Sequence, residues 1–510
     1  MDAVGSRAEL EIEKRLWLQR PRTEAAPSGS QAGRAMTRLR VAAPVLALLA
    51  LATGCALLAA RPAWELPPPP VEDRPLVEPG RLHRARLENG LDVLVLEDHR
   101  LPRVTLGVTL RRGEASVPVD RAGLAGYTAE LMQRGAGARD ALALARSIED
   151  MGARLSVSAD WDSMTVEVSG LASDLDRLLG ILEDVALRPR FDPAEAAKAK
   201  AERLGGLEAQ KDDPRTLAGW NLARVLYPGH RFGLPLPGTV QTVRGLDATA
   251  ARAFYQRVFV ARDAIVYASG DLSAADFERK VREGFGGWAP GEVPDPGPPP
   301  PSPAPPARRV VIVDRPDLVQ AQIALAHEGI SRTDPQRYAV LLMNSVVGGG
   351  GFSSRLMARV RADAGLTYSV GSGFGLRRAP GPFVVQTFTR VPEARRVIDL
   401  LLSVLARART DPPTPKELRD AQSQEVGSFA LGLETSDAIA DALVALDVYG
   451  LPEDALDTYR GRVRAVTTAE TAAAASDRLH PERMGIVVVG PAQALRPQLE
   501  GLGPIEVVEP

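Results

Sequence analysis

Cysteine is almost missing from this sequence. Its 510 residues hold one, Cys55. A single thiol excludes an intramolecular disulfide framework and every cysteine-rich metal site. Histidine is scarce too, with five residues: His83, His99, His230, His327 and His480. The nearest two, His83 and His99, stand 16 positions apart. No pair can therefore lie one helical turn apart, as a helical zinc site built on two imidazoles requires. Neither sign of charge dominates, since 62 Lys and Arg face 64 Asp and Glu for a net charge of -2. That balance excludes the broad basic excess of a nucleic-acid binder. What remains is ordinary for a globular chain, 45% hydrophobic and 25% charged, long enough for two to four domains. The 42 prolines and 46 glycines point to linkers as well as compact domains.

One uncharged run, residues 41–60, stands out, with Arg38, Arg40 and Arg61 beside it. Its first part fits the apolar core of a signal peptide behind a positive start. The stretch Leu51-Ala52-Thr53-Gly54-Cys55 looks like a bacterial lipobox, in which the cysteine is lipidated. Lipid chains supply membrane affinity that soluble domains lack. Two other readings stay open: an uncleaved anchor, for which 20 residues just suffice, and an incidental apolar stretch. The expectation is an extension (1–35), a lipoprotein signal peptide (36–55) and a proline-rich tether (56–80), with either Met1 or Met36 as the start. The rest of the chain would face the periplasm from the cell envelope. Ala56 after the cysteine, rather than aspartate, favours the outer membrane over the inner by the usual sorting rule.

A second proline-rich segment, residues 290–307, divides the remainder of the chain; ten of residues 290–306 are proline. No packed element survives that density. The half before it, 81–289, reads as strands at 91–97, 104–111, 155–159 and 164–169. A helix at 171–185 comes next, then one capped by Asp192 with Pro193 first and Glu195 at the capping-box position. Residues 264–268 close the half as a strand. The half after it, 308–510, repeats the order. Strands at 310–314 and 320–326 lead to a helix capped by Asp334 with Pro335. Strands at 368–374 and 383–388 come next. Helices at 393–406 and from Thr414, with Pro415 and Glu417, precede a last strand at 485–489. Strand pairs succeeded by helix runs argue an α+β fold with antiparallel sheets, duplicated in two halves.

The second half contains Val347-Gly348-Gly349-Gly350-Gly351-Phe352-Ser353-Ser354-Arg355-Leu356, then Arg361, Gly365-Leu366-Thr367-Tyr368. This resembles the C-terminal domain signature of the M16 peptidases, the pitrilysin, insulinase and mitochondrial-processing-peptidase family. Leu433-Glu434-Thr435, Tyr449-Gly450-Leu451-Pro452 and Val466-Thr467 fit the same family. The resemblance covers about residues 80–505. It implies two homologous α+β domains that close with two more around a peptide. It also implies zinc held by an inverted H-x-x-E-H helix in an N-terminal domain, the glutamate acting as base on the bound water.

The matching stretch here is Gly123-Leu124-Ala125-Gly126-Tyr127-Thr128-Ala129-Glu130-Leu131-Met132-Gln133-Arg134-Gly135. Gly126 and Glu130 replace the two histidines and Ala129 replaces the base. Glu208 stands at about the third-ligand position, and two carboxylates without imidazole make a poor zinc site. The expectation is no catalytic residue and no metal in this chain, with Glu130 and Glu208 as solvated helix faces. Arg361 and Tyr368 match the pair that M16 C-terminal domains turn toward substrate, where a fixed cation and a phenol stabilise charge developing on the attacked carbonyl oxygen. Read without the family, Arg361 makes a surface ion pair and Tyr368 packs at a strand start.

A lost triad beside a kept pair is the pattern of a non-catalytic subunit. Its partner, an M16 chain with an intact H-x-x-E-H, would supply the zinc, and a peptide or unfolded polypeptide would be the substrate. Two alternatives remain open. One is a homodimeric envelope scaffold that binds peptides without cleaving them. The other is a peptidase with a divergent metal site using Glu130, Glu208 and a distant histidine such as His99 or His230.

Overall fold

A computed structural model of the protein describes residues 75–78, 80–292 and 307–510. The extension 1–35, the signal segment 36–55 with Cys55, most of the tether and most of the linker 290–307 lie outside the described residues.

The first half builds strands β1 (Leu82–Arg86), β2 (Asp92–Glu97) and β3 (Arg103–Leu110), a small ribbon of β4 (Gly135–Ala136) and β5 (Arg139–Asp140), then β6 (Arg154–Ala159), β7 (Met164–Leu171) and β8 (Ala264–Gly270). Its main sheet runs β1-β2-β8-β3-β7-β6. The second half supplies β9 (Arg309–Asp314), β10 (Gln320–Glu328), β11 (Val370–Phe374), β12 (Pro382–Arg390), β13 (Gly485–Gly490) and β14 (Ile505–Val508), in the order β11-β12-β10-β13-β9-β14. Reversed, the second order matches the first: β9 with β2, β13 with β8, β10 with β3, β12 with β7 and β11 with β6. The pairing senses match as well. β2–β8 and β9–β13 are parallel, and the next three pairs in each sheet are antiparallel. The protein is thus an α+β duplication with antiparallel-dominated sheets. Only the outer strands differ: β1 joins antiparallel from the start of its half, β14 parallel from the end of its own.

The helices around the site and the junction of the halves are α1 (Leu124–Met132), α2 (Leu175–Leu187), α3 (Pro193–Gln210), α4 (Pro214–Leu226), α5 (Arg337–Asn344), α6 (Ala394–Ala408), α7 (Pro415–Leu431) and α8 (Ser436–Tyr449). Local signals fix several starts. Asp192 caps α3 by accepting from the Ala194 and Glu195 amides. Thr414 and Glu417 form a reciprocal capping box on α7.

Other starts differ from the sequence expectation. Glu195 completes no box; its carboxylate turns to Lys198 and Arg134 instead. Asp334 accepts from the Gln336 amide at 2.8 Å, and α5 begins only at Arg337. Leu171 ends β7, and α2 starts four residues later, after a tight turn at 172–174.

Strand patterning reports burial. In β7, Met164, Val166 and Val168 are buried and alternate with half-exposed neighbours, the mark of one covered face. β8 and β13 are buried throughout, so both of their faces are covered. The second cover comes from the opposite half. Leu217, Leu222 and Leu226 of α4 pack on Val311, Val313, Ala324 and Val487 of the second sheet. Ala440, Leu443 and Val444 of α8 pack on Leu94, Leu96, Ile265 and Tyr267 of the first. The loop between β11 and β12 adds a clasp: the Arg377 guanidinium stacks 4.3 Å from the Trp161 ring and 4.6 Å from that of Phe232. The described residues accordingly form one compact unit.

Candidate functional site

α1 begins at Gly123, whose φ of +94 is open to glycine and strained for other residues. A side chain there would also strike the Pro237 carbonyl. No side chain of the cap residue serves the free amides at this end. Glu114 does so instead, accepting from Gly123 at 2.6 Å, Ala125 at 2.9 Å and Gly126 at 3.3 Å. The carboxylate is buried against Arg231, 2.8 Å away, and Arg231 also donates to the carbonyls of Leu234, Pro235 and Leu236. Burial pushes the Glu114 carboxyl up and the Arg231 guanidinium down, and each partner opposes the other's shift. The Tyr127 hydroxyl donates to Ala196 on α3 at 2.7 Å. Helix α1 is therefore anchored at its start and along its α3 face.

Gly126, Ala129 and Glu130 lie within this fixed helix. Ala129 is buried in the core of the first half. At Gly126 an added Cβ would lie 2.5 Å from Nη2 of Arg203, which reaches across from α3. Nη1 of Arg203 sits 3.9 Å from Glu130 Oε2. The Arg203 side chain is 14% exposed, its Nε has no partner among the described residues, and burial pushes its guanidinium below the usual range while Glu130 draws it back up. Glu130 is also held by Arg134 at 3.0 Å, and Arg134 in turn reaches Glu202 and Glu195 on α3. Glu130 is thus not a merely solvated face but part of an ion network joining two helices.

Glu208 lies elsewhere, half exposed and paired with Lys211 of its own chain segment at 2.9 Å. The divergent metal site expected as an alternative is not assembled. His99 binds Asp271 at 2.7 Å, and His230 accepts from the Phe232 amide. Among the described residues no group of three His, Cys, Asp or Glu could hold a metal ion. At the place where the M16 resemblance implies zinc, the residues do not fit it, because a guanidinium occupies the space between the helices.

The second half carries the other cluster. α5 runs on into a wider turn at 345–349 and the glycine run. Gly348 admits no side chain, since a Cβ would overlap the Ser372 hydroxyl on β11. Asn344 fixes the same strand through its amide to the Ser372 carbonyl at 3.2 Å, and the Ser372 hydroxyl donates back at 2.7 Å. Arg355 is scaffold: it grips Glu417 at 2.7 and 3.0 Å and the Asp411 and Pro412 carbonyls. That grip holds the Glu417 carboxyl down at about 2.

Arg361 lies in a widened helical segment at 357–363 and makes no ion pair among the described residues. It sits between two rings instead, 4.6 Å from the centroid of Phe352 and 5.0 Å from that of Tyr368. Gly365, with φ +63, turns the chain out of the helix. Tyr368 then stands 72% exposed, two residues ahead of β11 rather than inside it. Phe352 is 75% exposed. A cation stacked between two open rings keeps its N–H edges free for a carbonyl or carboxylate.

Sequence reasoning located Arg361 and Tyr368 through their motif and passed over Phe352, Arg203, Glu114 and Arg231. For Arg203 one signal was present. A glycine where a histidine is expected leaves a gap that some neighbour must fill.

Family comparison agrees with this architecture. Residues 92–240 match the model described as Insulinase (Peptidase family M16). Residues 245–425 match the model described as Peptidase M16 inactive domain. The chain belongs to the M16 peptidase family. The boundary between the two M16 models falls before β8, so the strand that completes the first sheet is counted with the second model.

An uncharacterised zinc protease of Streptomyces coelicolor is 26% identical over 417 residues, 81% of this chain and 90% of its own. One of Bacillus subtilis is 22% identical, over 70% of this chain and 86% of its own. The crystal structure of a peptidase M16 inactive domain from Pseudomonas fluorescens superposes with a TM-score of 0.74 at 29% identity, over 80% of this chain and 98% of that one. A Helicobacter pylori protease shares the fold at the same TM-score with 15% identity, over 80% of this chain and 99% of its own.

Proposed function

We propose that this chain is the non-catalytic, substrate-binding subunit of a heterodimeric M16 zinc peptidase. A partner with an intact H-x-x-E-H helix supplies the zinc and the base. This chain holds no catalytic metal, completes the chamber and offers Arg361 and Tyr368 to the peptide. It is tethered to the envelope membrane through lipid on Cys55 and faces the periplasm. The observation that carries this reading is the contrast between the two clusters. The ligand positions on α1 are closed by a guanidinium, while Arg361 has no carboxylate partner among the described residues and is held open between exposed rings. A part-exposed arginine without a carboxylate partner is poised to meet a ligand's oxygen.

The test is co-expression with an M16 chain that carries the intact motif and lies beside this gene. A quenched-peptide assay is then run on each chain and on the mixture. Activity is expected in the mixture alone and is lost with a zinc chelator. Arg361→Ala in the mixture is expected to cut turnover by about 10²-fold with assembly intact, the usual loss for one donor to a developing oxyanion. Unchanged turnover would remove the role given to Arg361. Silence in every sample, together with a stable self-pair, would favour a peptide-binding scaffold.

A further inference from the structure

The M16 family implies zinc where Gly126, Ala129 and Glu130 stand, and the structure places an arginine there. We infer that Arg203 is the internal replacement for the metal: a permanent cation carried by α3 into the gap that Gly126 leaves on α1, where it faces Glu130 and locks the helix pair against reacquiring a divalent ion. Every group involved belongs to this chain, and no partner subunit is needed.

Three observations converge on it. The first is space. Nη2 of Arg203 lies 2.5 Å from the Cβ position of residue 126, so any side chain there must displace the guanidinium. The second is charge. Gly126 and Glu130 are four apart and share one helix face. The one carboxylate on that face lies 3.9 Å from Nη1, so a cation stands opposite an acidic group as a metal would. Arginine stays charged where it is largely buried, which suits a fixed position between helices. The third is hydrogen bonding. The Arg203 Nε is buried with no partner among the described residues, so no hydrogen bond from that nitrogen fixes the placement.

The two helices are then crossed by guanidinium groups in both directions. Arg134, just past α1, reaches Glu195 and Glu202 on α3, and Arg203 on α3 reaches Glu130 on α1. Here two side chains join the helices.

The experiment is a double-mutant cycle read by thermal melting of the full chain. In the Arg203→Ala background, Gly126→Ala is expected to raise the midpoint by about 1 °C, the gain of alanine over glycine in a helix spread over the melting entropy of a chain this long. With Arg203 present the gain is expected to shrink or vanish, because the guanidinium must move aside for the methyl group. Equal shifts in the two backgrounds would show that Arg203 does not fill this space and would overturn the inference. A second arm restores the motif as Gly126→His, Ala129→Glu and Glu130→His with Arg203 intact, and measures cobalt by its visible absorption. No stoichiometric cobalt is expected, and a full equivalent bound in the presence of Arg203 would overturn the inference independently of the melts.

Discussion

Glu114 and Arg231 hold the helix from which the metal ligands are missing, and both are almost completely buried. Their attraction offsets the desolvation of each only because both are also hydrogen-bonded to backbone groups around them. Glu114→Ala leaves a buried guanidinium without its anion and frees three amides at the start of α1. We expect it to cost about 3–5 kcal/mol in chemical unfolding. A loss below about 1 kcal/mol would mean that the pair is dispensable to the fold.

At this scale the sequence is unevenly legible. Arg361 and Tyr368 are found because a short motif brackets them. Glu114 and Arg231 stand 117 positions apart, and a lone glutamate and a lone arginine carry no local sign of meeting. Phe352 sits inside the motif itself, but its role depends on lying across from Arg361, which only folding decides. Arg355 reads equally well as a site residue, yet it is spent on Glu417.

Most strands and several capped helices were legible to within a few residues, since alternation and capping are local; the outer strands β1 and β14 were not. The limits appear where tertiary packing overrides them. β8 and β13 look like short apolar runs, and only the structure shows that each is roofed on both faces. Helix α4 went unrecognised, although Leu217, Leu222 and Leu226 form its apolar stripe. The surface that stripe covers belongs to the other half of the chain. Leu222→Ala tests that contact. Truncating a side chain only 3% exposed is expected to cost about 2–5 kcal/mol with the secondary structure intact by circular dichroism. A change under about 0.5 kcal/mol would mean that α4 does not couple the halves.

For the whole molecule, the two halves are structurally alike and share two buried apolar surfaces. Released from its neighbour, the first half would expose Leu94, Leu96, Ile265 and Tyr267 on one sheet face. An apolar patch of that kind drives association. Residues 81–289 expressed alone are therefore expected to aggregate or self-associate. The same segment co-expressed with residues 308–510 as a separate chain is expected to elute as a soluble pair on size exclusion. A soluble, monomeric first half would show that α8 is an accessory rather than a roof.

The exchange of α4 for α8 across the junction has a bearing on descent. A half-length chain with this layout is self-complementary: two copies about a twofold axis would shield each other's sheets with the same helix. Joining such a pair end to end leaves the shared surface as it was and changes only the inheritance. Each copy then mutates on its own. In this chain the two halves differ accordingly: the first carries Gly126, Ala129 and Glu130 on α1, and the second carries the glycine run 348–351 after α5.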